Sequence, residues 1–473
     1  MKPLNITDQL FLHMEKRHQP MHIGTLMIFS YPKTSAPDSA ATMFNHLKSF
    51  TLMDERSQLK LTRKWGQHYW EKDKEFDIDH HIKHSALPKP YRIQSLLDFV
   101  STQHGNPIHR ERPLWEIHFI EGVEENRFAL YMKVHHSVAD GASGNQALQK
   151  LLSKNREHRW TTKTCSTASV ETDKNNEPQP TVLNVIQSAS SVIRNVGKKI
   201  LEDRTKRRSV FGLNAPQTIL NTPITGSRIF SAHPYDLQRF RKIGDFYNAT
   251  INDVVLAVCG SVLRAYLLSK NSLPEKPLIA MIPVSMRDIN NESTAGNEIA
   301  FLQSSLGTNI GCPETRMLAI KKSINDAKDQ VSNMTREEYL IYSSMSFTPG
   351  VFHLATGLGK NWLPCNVMIS NIPGPSHSLY LNGAELHEIY PVSIPFDRVP
   401  LNITVMSYNG KINFGLTACR QSIESNHCLM DNVEQALTDF EELISPPKKN
   451  RVEREKFSFS STNAIMRRTS RND

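Results

Sequence analysis

The sequence predicts two mixed α/β domains joined by a linker, and three observations carry that expectation. Strand-like runs and amphipathic helical stretches occur together on both sides of the chain's midpoint. Between them, residues 160–180 read WTTKTCSTASVETDKNNEPQP, without a Leu, Ile, Phe or Met, and supply no core of their own. Downstream, LNITVMSYNGKINFGLTA (401–418) alternates around Asn409-Gly410, a hairpin signal because a type I′ turn needs positive φ at both central positions. The expected organisation is a first domain over 1–155, a linker over 156–215, a second domain over 216–445 and a basic, disordered tail over 446–473.

Taken in order, DQLFLHME has helical spacing and follows Thr7, a residue suited to an N-cap. RPLWEIHFIEG (112–122) and RFALYMKVHH (127–136) read as strands joined by the polar turn VEENR, hence a hairpin. Past the linker's polar start, Val182, Val185, Ile186, Ala189, Val192, Ile193, Val196 and Ile200 make one apolar stripe within helix 181–203. That helix exits through Lys198, Lys199, Arg204, Lys206, Arg207 and Arg208, so it reads as an interdomain brace or as an interfacial helix facing anionic headgroups. TINDVVLAVCGSVLRAYLL (250–268) is a helix whose Thr250 and Asp253 have capping-box spacing. PLIAMIPVSM (277–286) and NVMISNIPGP (366–375) look like strands ending in turns. The tail, from Ser445, carries eight Lys/Arg against three acidic residues.

Composition narrows the function classes. The N-terminus lacks a secretory h-region, and no run of about 18 apolar residues occurs, so membrane contact is expected to be peripheral. Six scattered cysteines without a CxxC pair fit a reducing, cytoplasmic setting. A net charge of +9 favours anionic partners. Nucleic acid is disfavoured, since zinc-finger spacing and RNP-like aromatic motifs are both missing from the sequence.

The chemistry concentrates in YMKVHHSVADGASG (131–144). On a strand over 128–136, Phe128, Leu130, Met132, Val134 and His136 share one face, and Ala129, Tyr131, Lys133 and His135 the other. The two histidines then point apart, which argues against one metal held by both. His136 leaves an apolar face, where desolvation keeps its imidazole neutral and able to accept a proton as a general base. Asp140 is expected to support the loop by bonding backbone N–H groups or to pair with an arginine elsewhere, and Gly141 to supply a backbone angle closed to other residues. His135 reads as packing or loop support, with direct chemistry as the alternative.

HHSVADG resembles the HHxxxDG motif of the bacterial wax ester synthase/acyl-CoA:diacylglycerol acyltransferase family, within the CoA-dependent acyltransferases that resemble chloramphenicol acetyltransferase. MHIGTLMIF, FDIDHHIKHSALP, the PLW motif at Pro113, Leu114 and Trp115, the ND motif at Asn252 and Asp253, IPVSMR, GNEIAFL, SNIPGP and PLNITVMSYNGKINFGL look like further family blocks in the expected order. The resemblance implies two linked α/β domains with an active-site tunnel between them. It implies acyl transfer from acyl-CoA to a long-chain alcohol or diacylglycerol, with His136 as general base and Asp140 structural. Acyl-CoA is then a substrate, and neither a resident cofactor nor a metal is expected. Leu114 and Trp115 are expected as tunnel lining or core. Asn252, second in its helix, is expected to stabilise an oxyanion, and Asp253 to complete the cap. The partners implied are acyl-CoA, a fatty alcohol or diacylglycerol, and a peripheral membrane or lipid-droplet surface. Two rivals remain: a metal-dependent phosphoesterase, suggested by DIDHH at 77–81 beside the histidine pair, and a non-catalytic lipid- or CoA-binding relative.

Overall fold

The computed structural model describes residues 2–4, 6–32, 39–51, 55–64, 67–138, 151–160, 215–285, 299–332, 363–423 and 427–444. The expected helix 181–203, the tail, Asp140 and Gly141 lie outside these residues. The first half contains β1 (Lys2–Pro3), α1 (Ile6–Met14), β2 (His22–Ser30), α2 (Ser39–Thr51), β3 (Leu59–Lys64), β4 (Gln67–Lys72), β5 (Ile82–Ala86), α3 (Ile93–Gly105), β6 (Trp115–Val123) and β7 (Arg127–His135). The second contains β8 (Arg228–Asp236), α4 (Leu237–Tyr247), α5 (Ile251–Ser269), β9 (Ile279–Ser285), β10 (Ile299–Ser305), α6 (Pro313–Ser332), β11 (Val367–Ile372), β12 (Tyr380–Leu381), β13 (Ala384–Val392), β14 (Leu401–Tyr408), β15 (Lys411–Cys419) and α7 (His427–Ile444).

Two six-stranded sheets dominate, in the orders β12-β13-β2-β7-β6-β5 and β10-β9-β11-β14-β15-β8. The halves are interlocked: β13 comes from the second half but pairs antiparallel with β2, from Glu385↔Ser30 to Val392↔Gly24. The chain then returns through residues 393–400 to β14 in the second sheet. Helices α4–α7 bury their apolar faces against one side of the second sheet, around Phe240, Leu256, Ile320, Phe414 and Leu437. On the other side, Met406 and Tyr408 join the core over β2 and β7 that holds Met27, Phe29 and Leu130, and Phe230 joins Leu26, Leu97 and Tyr131. The sheets therefore pack face to face with α3 wedged beside β8.

Local chemistry explains the elements that the sequence made legible. Asn409 and Gly410 take φ of 44° and 78°, closing the β14–β15 hairpin. The β6–β7 hairpin turns through Glu125 and Asn126, both at positive φ. At Gly24 of β2 a Cβ would lie 2.7 Å from the Tyr131 ring, so the tyrosine fits only over a glycine. Helix α5 is long and apolar enough to cross a membrane by composition, yet 67% of its apolar window is buried in the fold, as a core helix requires. One expectation is corrected. Thr7 does not cap α1: the helix begins at Ile6, and Thr7 falls within its first turn, close behind β1 on β4.

Candidate active site

The site is built on β7, an inner strand of the first sheet. The strand ends at His135, paired with His22 of β2, and the ladder runs one bond further, from His136 N–H to Met21 O at 2.8 Å. His136 is thus the first residue of the turn, correcting its expected place as the strand's last. Its ring stacks on Phe11 of α1, with centroids 4.0 Å apart and planes 18° apart. The ring is half-buried at the strand's end.

His135 points the other way, as alternation requires, and is buried. Its Nδ1 accepts the Ser137 backbone N–H at 3.1 Å and lies 2.7 Å from the Ser137 hydroxyl. A nitrogen that accepts a backbone N–H carries no proton, so the neutral ring is protonated on Nε2. That Nε2 stands 3.5 Å from Glu15 Oε1. The His135 backbone is held by Leu114 O at 3.0 Å and caps the turn by accepting from Val138 N–H at 2.9 Å.

Beneath the pair, the same face of β7 carries further polar groups that are buried and partnered. Lys133 Nζ lies 3.1 Å from Glu116 Oε2 and donates to Gln103 O and Asn106 O at 3.1 and 3.0 Å, tying the C-terminal end of α3 to the strand. Burial pushes the Glu116 carboxyl up, but His118, Lys133 and Lys83 outweigh it and hold it at about 2. Burial lowers the Lys133 ammonium, and Glu116 works against that shift. His104, at the end of α3, sits 2.8 Å from the Tyr131 hydroxyl and 3.0 Å from Ser393 O, and its carbonyl accepts from His22 Nε2 at 2.8 Å. Burial pushes His104 down to about 3 and His22 well below the usual range, so both rings are neutral near pH 7.

The other expected site residues fall in different places. Leu114 is 1% exposed and packs with Leu4, Leu12 and Ile108; it is core, not tunnel lining, and only its carbonyl reaches the site. Trp115 is half-buried, donates from Nε1 to Ser57 O at 2.7 Å and stacks on His81. Asp253 completes the capping box: Oδ2 accepts from Thr250 N–H at 2.9 Å, and Thr250 Oγ1 accepts from Asp253 N–H at 3.2 Å. Asn252, half-exposed beside it, starts a helix whose core lies on the side of the second sheet away from the first, and no described contact links it to His136. Asp253→Ala is expected to cost about 1–2 kcal/mol in urea unfolding, whereas Asn252→Ala is expected to keep its stability and lower kcat in a CoA-release assay.

A cavity of about 760 Å³ opens between the halves, walled by Arg17, His18, Asn106, Pro223, Ser227 and Asp397. In sequence its walls follow directly on His104 and closely on Glu15, and His136 is not among them. In the DIDHH string Asp77 Oδ2 and His80 Nε2 lie 3.5 Å apart, but among the described residues no three candidate metal ligands come together. Asp77 accepts from Asp79 N–H, Asp79 pairs with Lys48, and the buried His81 ring bonds Trp115 O at 2.8 Å.

Comparison with known proteins settles the family. The "Wax ester synthase/diacylglycerol acyltransferase catalytic domain" matches residues 4–255 and the "WS/DGAT C-terminal domain" residues 295–441. The chain belongs to the wax ester synthase/diacylglycerol acyltransferase family. It is 37% identical over 455 residues to the O-acyltransferase WSD of Acinetobacter baylyi, covering 94% of this chain and 98% of that one. A putative diacylglycerol O-acyltransferase of Mycobacterium tuberculosis is 35% identical over 454 residues, covering 92% and 90%. The solved wax ester synthase/diacylglycerol acyltransferase of Marinobacter aquaeolei superposes with a TM-score of 0.76 at 38% identity, covering 94% of this chain and 99% of that one. A starter condensation domain of rhizomide synthetase, at 10% identity and a TM-score of 0.56 over 92% and 93%, shares the fold alone. The two-domain architecture expected from the sequence is thus that of this wax ester synthase/diacylglycerol acyltransferase family.

Glu15, Phe11, His22, His104 and Lys133 were not among the residues singled out from sequence. Lys133 had a local signal, a lysine inside an otherwise apolar strand two residues before the pair. The others had none, because their relation to the site depends on which helix packs where.

Proposed function

We propose that this protein transfers a long-chain acyl group from acyl-CoA to the hydroxyl of a fatty alcohol, of diacylglycerol, or of both. The reading rests on the family and on one observation: the histidine pair divides its labour. The ring of His135 is engaged by Ser137 and faces Glu15, whereas that of His136 stands at the mouth of the turn against Phe11.

In this mechanism His136 takes the acceptor's hydroxyl proton as the oxygen attacks the thioester carbonyl. The tetrahedral intermediate collapses, the C–S bond breaks, and the CoA thiolate receives the proton held on His136. The thioester is already activated, so the step uses no resident cofactor and no acyl-enzyme. Holding both substrates between the halves supplies much of the rate. His135 supports the turn through Ser137. The enzyme works on the cytoplasmic side of a membrane or lipid inclusion, held peripherally by its net charge of +9 and by the basic segments at 198–208 and 446–473.

The test is purified protein with palmitoyl-CoA, offered hexadecanol and dipalmitoylglycerol in parallel, with CoA release and lipid product measured. Wax ester, triacylglycerol or both is the expected result, at a rate unchanged by EDTA. No product from either acceptor, or a rate abolished by chelation and restored by a metal, overturns the reading.

A further inference from the structure

We propose that α1 clamps the histidine pair, with Phe11 and Glu15 as positioning residues that fix the His136 ring and the backbone that carries it. This rests on the reading of His136 as the base.

Glu15 N–H donates to Phe11 O at 3.1 Å, so the helical ladder of α1 runs on to Glu15. Phe11 and Glu15 are therefore one turn apart on the same face. One meets each histidine: the Phe11 ring lies flat on His136, and the Glu15 carboxylate faces His135. The carboxylate also grips the backbone. Oε1 accepts from Met21 N–H at 3.2 Å, and the Met21 carbonyl in turn accepts from His136 N–H at 2.8 Å. A single residue, Met21, thus joins Glu15 to the residue that carries the base. Arg110 locks the arrangement, donating from Nε to Glu15 Oε2 at 2.7 Å and from Nη2 to Leu12 O at 2.6 Å.

The Glu15 side chain is only 7% exposed, and its burial alone would favour the neutral acid. Burial pushes its carboxyl up, but His135, Arg110 and the Met21 N–H together hold it at about 2, so it is ionised at neutral pH. The other charged or titratable groups facing the pair are Arg110, His22 opposite His135 on β2, and Lys133 two residues back on β7. A buried carboxylate bonded by Arg110 and the Met21 N–H, with His135 Nε2 3.5 Å away, holds the Met21–His136 bond in place and faces the His135 ring with a fixed charge. Its negative charge also favours the imidazolium that His136 becomes during transfer.

Glu15→Gln keeps the side chain's size and a carbonyl acceptor but removes the charge. It is expected to lower kcat about tenfold to a hundredfold, as a small misplacement of a reacting group does. KM for palmitoyl-CoA should stay within about twofold, because no substrate contact is lost. The acid limb of the kcat/KM profile should move to lower pH, since His136 loses a nearby negative charge. Glu15→Asp should restore part of kcat, and Phe11→Leu should lower kcat less than Glu15→Gln. Thermal melts show whether each variant is folded. Wild-type kcat and pH profile in Glu15→Gln overturn the clamp, as does a lowered Tm with unchanged kcat per folded molecule. His136→Ala, assayed alongside, separates the two readings. If it is active, the base assignment fails; if it is inactive while Glu15→Gln behaves as wild type, the clamp alone fails.

Discussion

His136→Ala should lower kcat about 10²–10⁴-fold, the range that a general base contributes, while the protein stays folded. The backbone reason is that the His136 contact to Met21 is made by the peptide N–H, which alanine retains. The chemical reason is that the neighbouring histidine is poorly placed to substitute. Its Nδ1 lone pair is occupied by the Ser137 N–H, and its Nε2 faces Glu15. His135→Ala should behave differently, loosening the turn and lowering Tm along with activity. CoA release at saturating palmitoyl-CoA, normalised to folded protein from thermal melts, distinguishes the two variants. A His136→Ala enzyme turning over at the wild-type rate would remove the base assignment.

What could be read in the chain was what short stretches decide. The Asn409-Gly410 hairpin, the Thr250–Asp253 capping box and the splitting of His135 from His136 all follow from geometry within a few residues. Pairings between distant segments were not legible. Nothing near Ala384–Val392 marks it as a strand of the first sheet, because its partner β2 lies more than 350 residues earlier. Phe11 and Glu15 meet the histidines across about 120 residues of chain for the same reason. Leu114 took the core one of its two expected places, packing with Leu4, Leu12 and Ile108.

The polar face of β7 leads to the largest expected effect on stability. Lys133→Met is expected to cost about 3 kcal/mol at neutral pH, the low end for removing one partner of a buried pair. Three donor–acceptor contacts disappear, and two of them, to Gln103 O and Asn106 O, leave carbonyls at the end of α3 without this cation. Glu116 keeps Lys83 at 3.4 Å and His118 at 3.5 Å, which is why the low end applies. The dependence on pH follows from the carboxylate. Its folded value, about 2, lies below the ordinary 4.5, so its contribution is complete above about pH 4.5 and is lost as pH falls toward 2. In the variant, Glu116 loses its most buried cationic neighbour, its folded value rises, and less stability remains to be lost on acidification. Urea midpoints of the two proteins should therefore differ most near pH 7 and converge as pH drops from about 4.5. Because Asn106 also walls the cavity between the halves, the variant should raise KM for a substrate held there more than it lowers kcat. Equal urea midpoints at pH 7 would mean that the desolvation of Lys133 and Glu116 cancels what their pairing contributes, and that α3 is held to β7 by apolar packing alone.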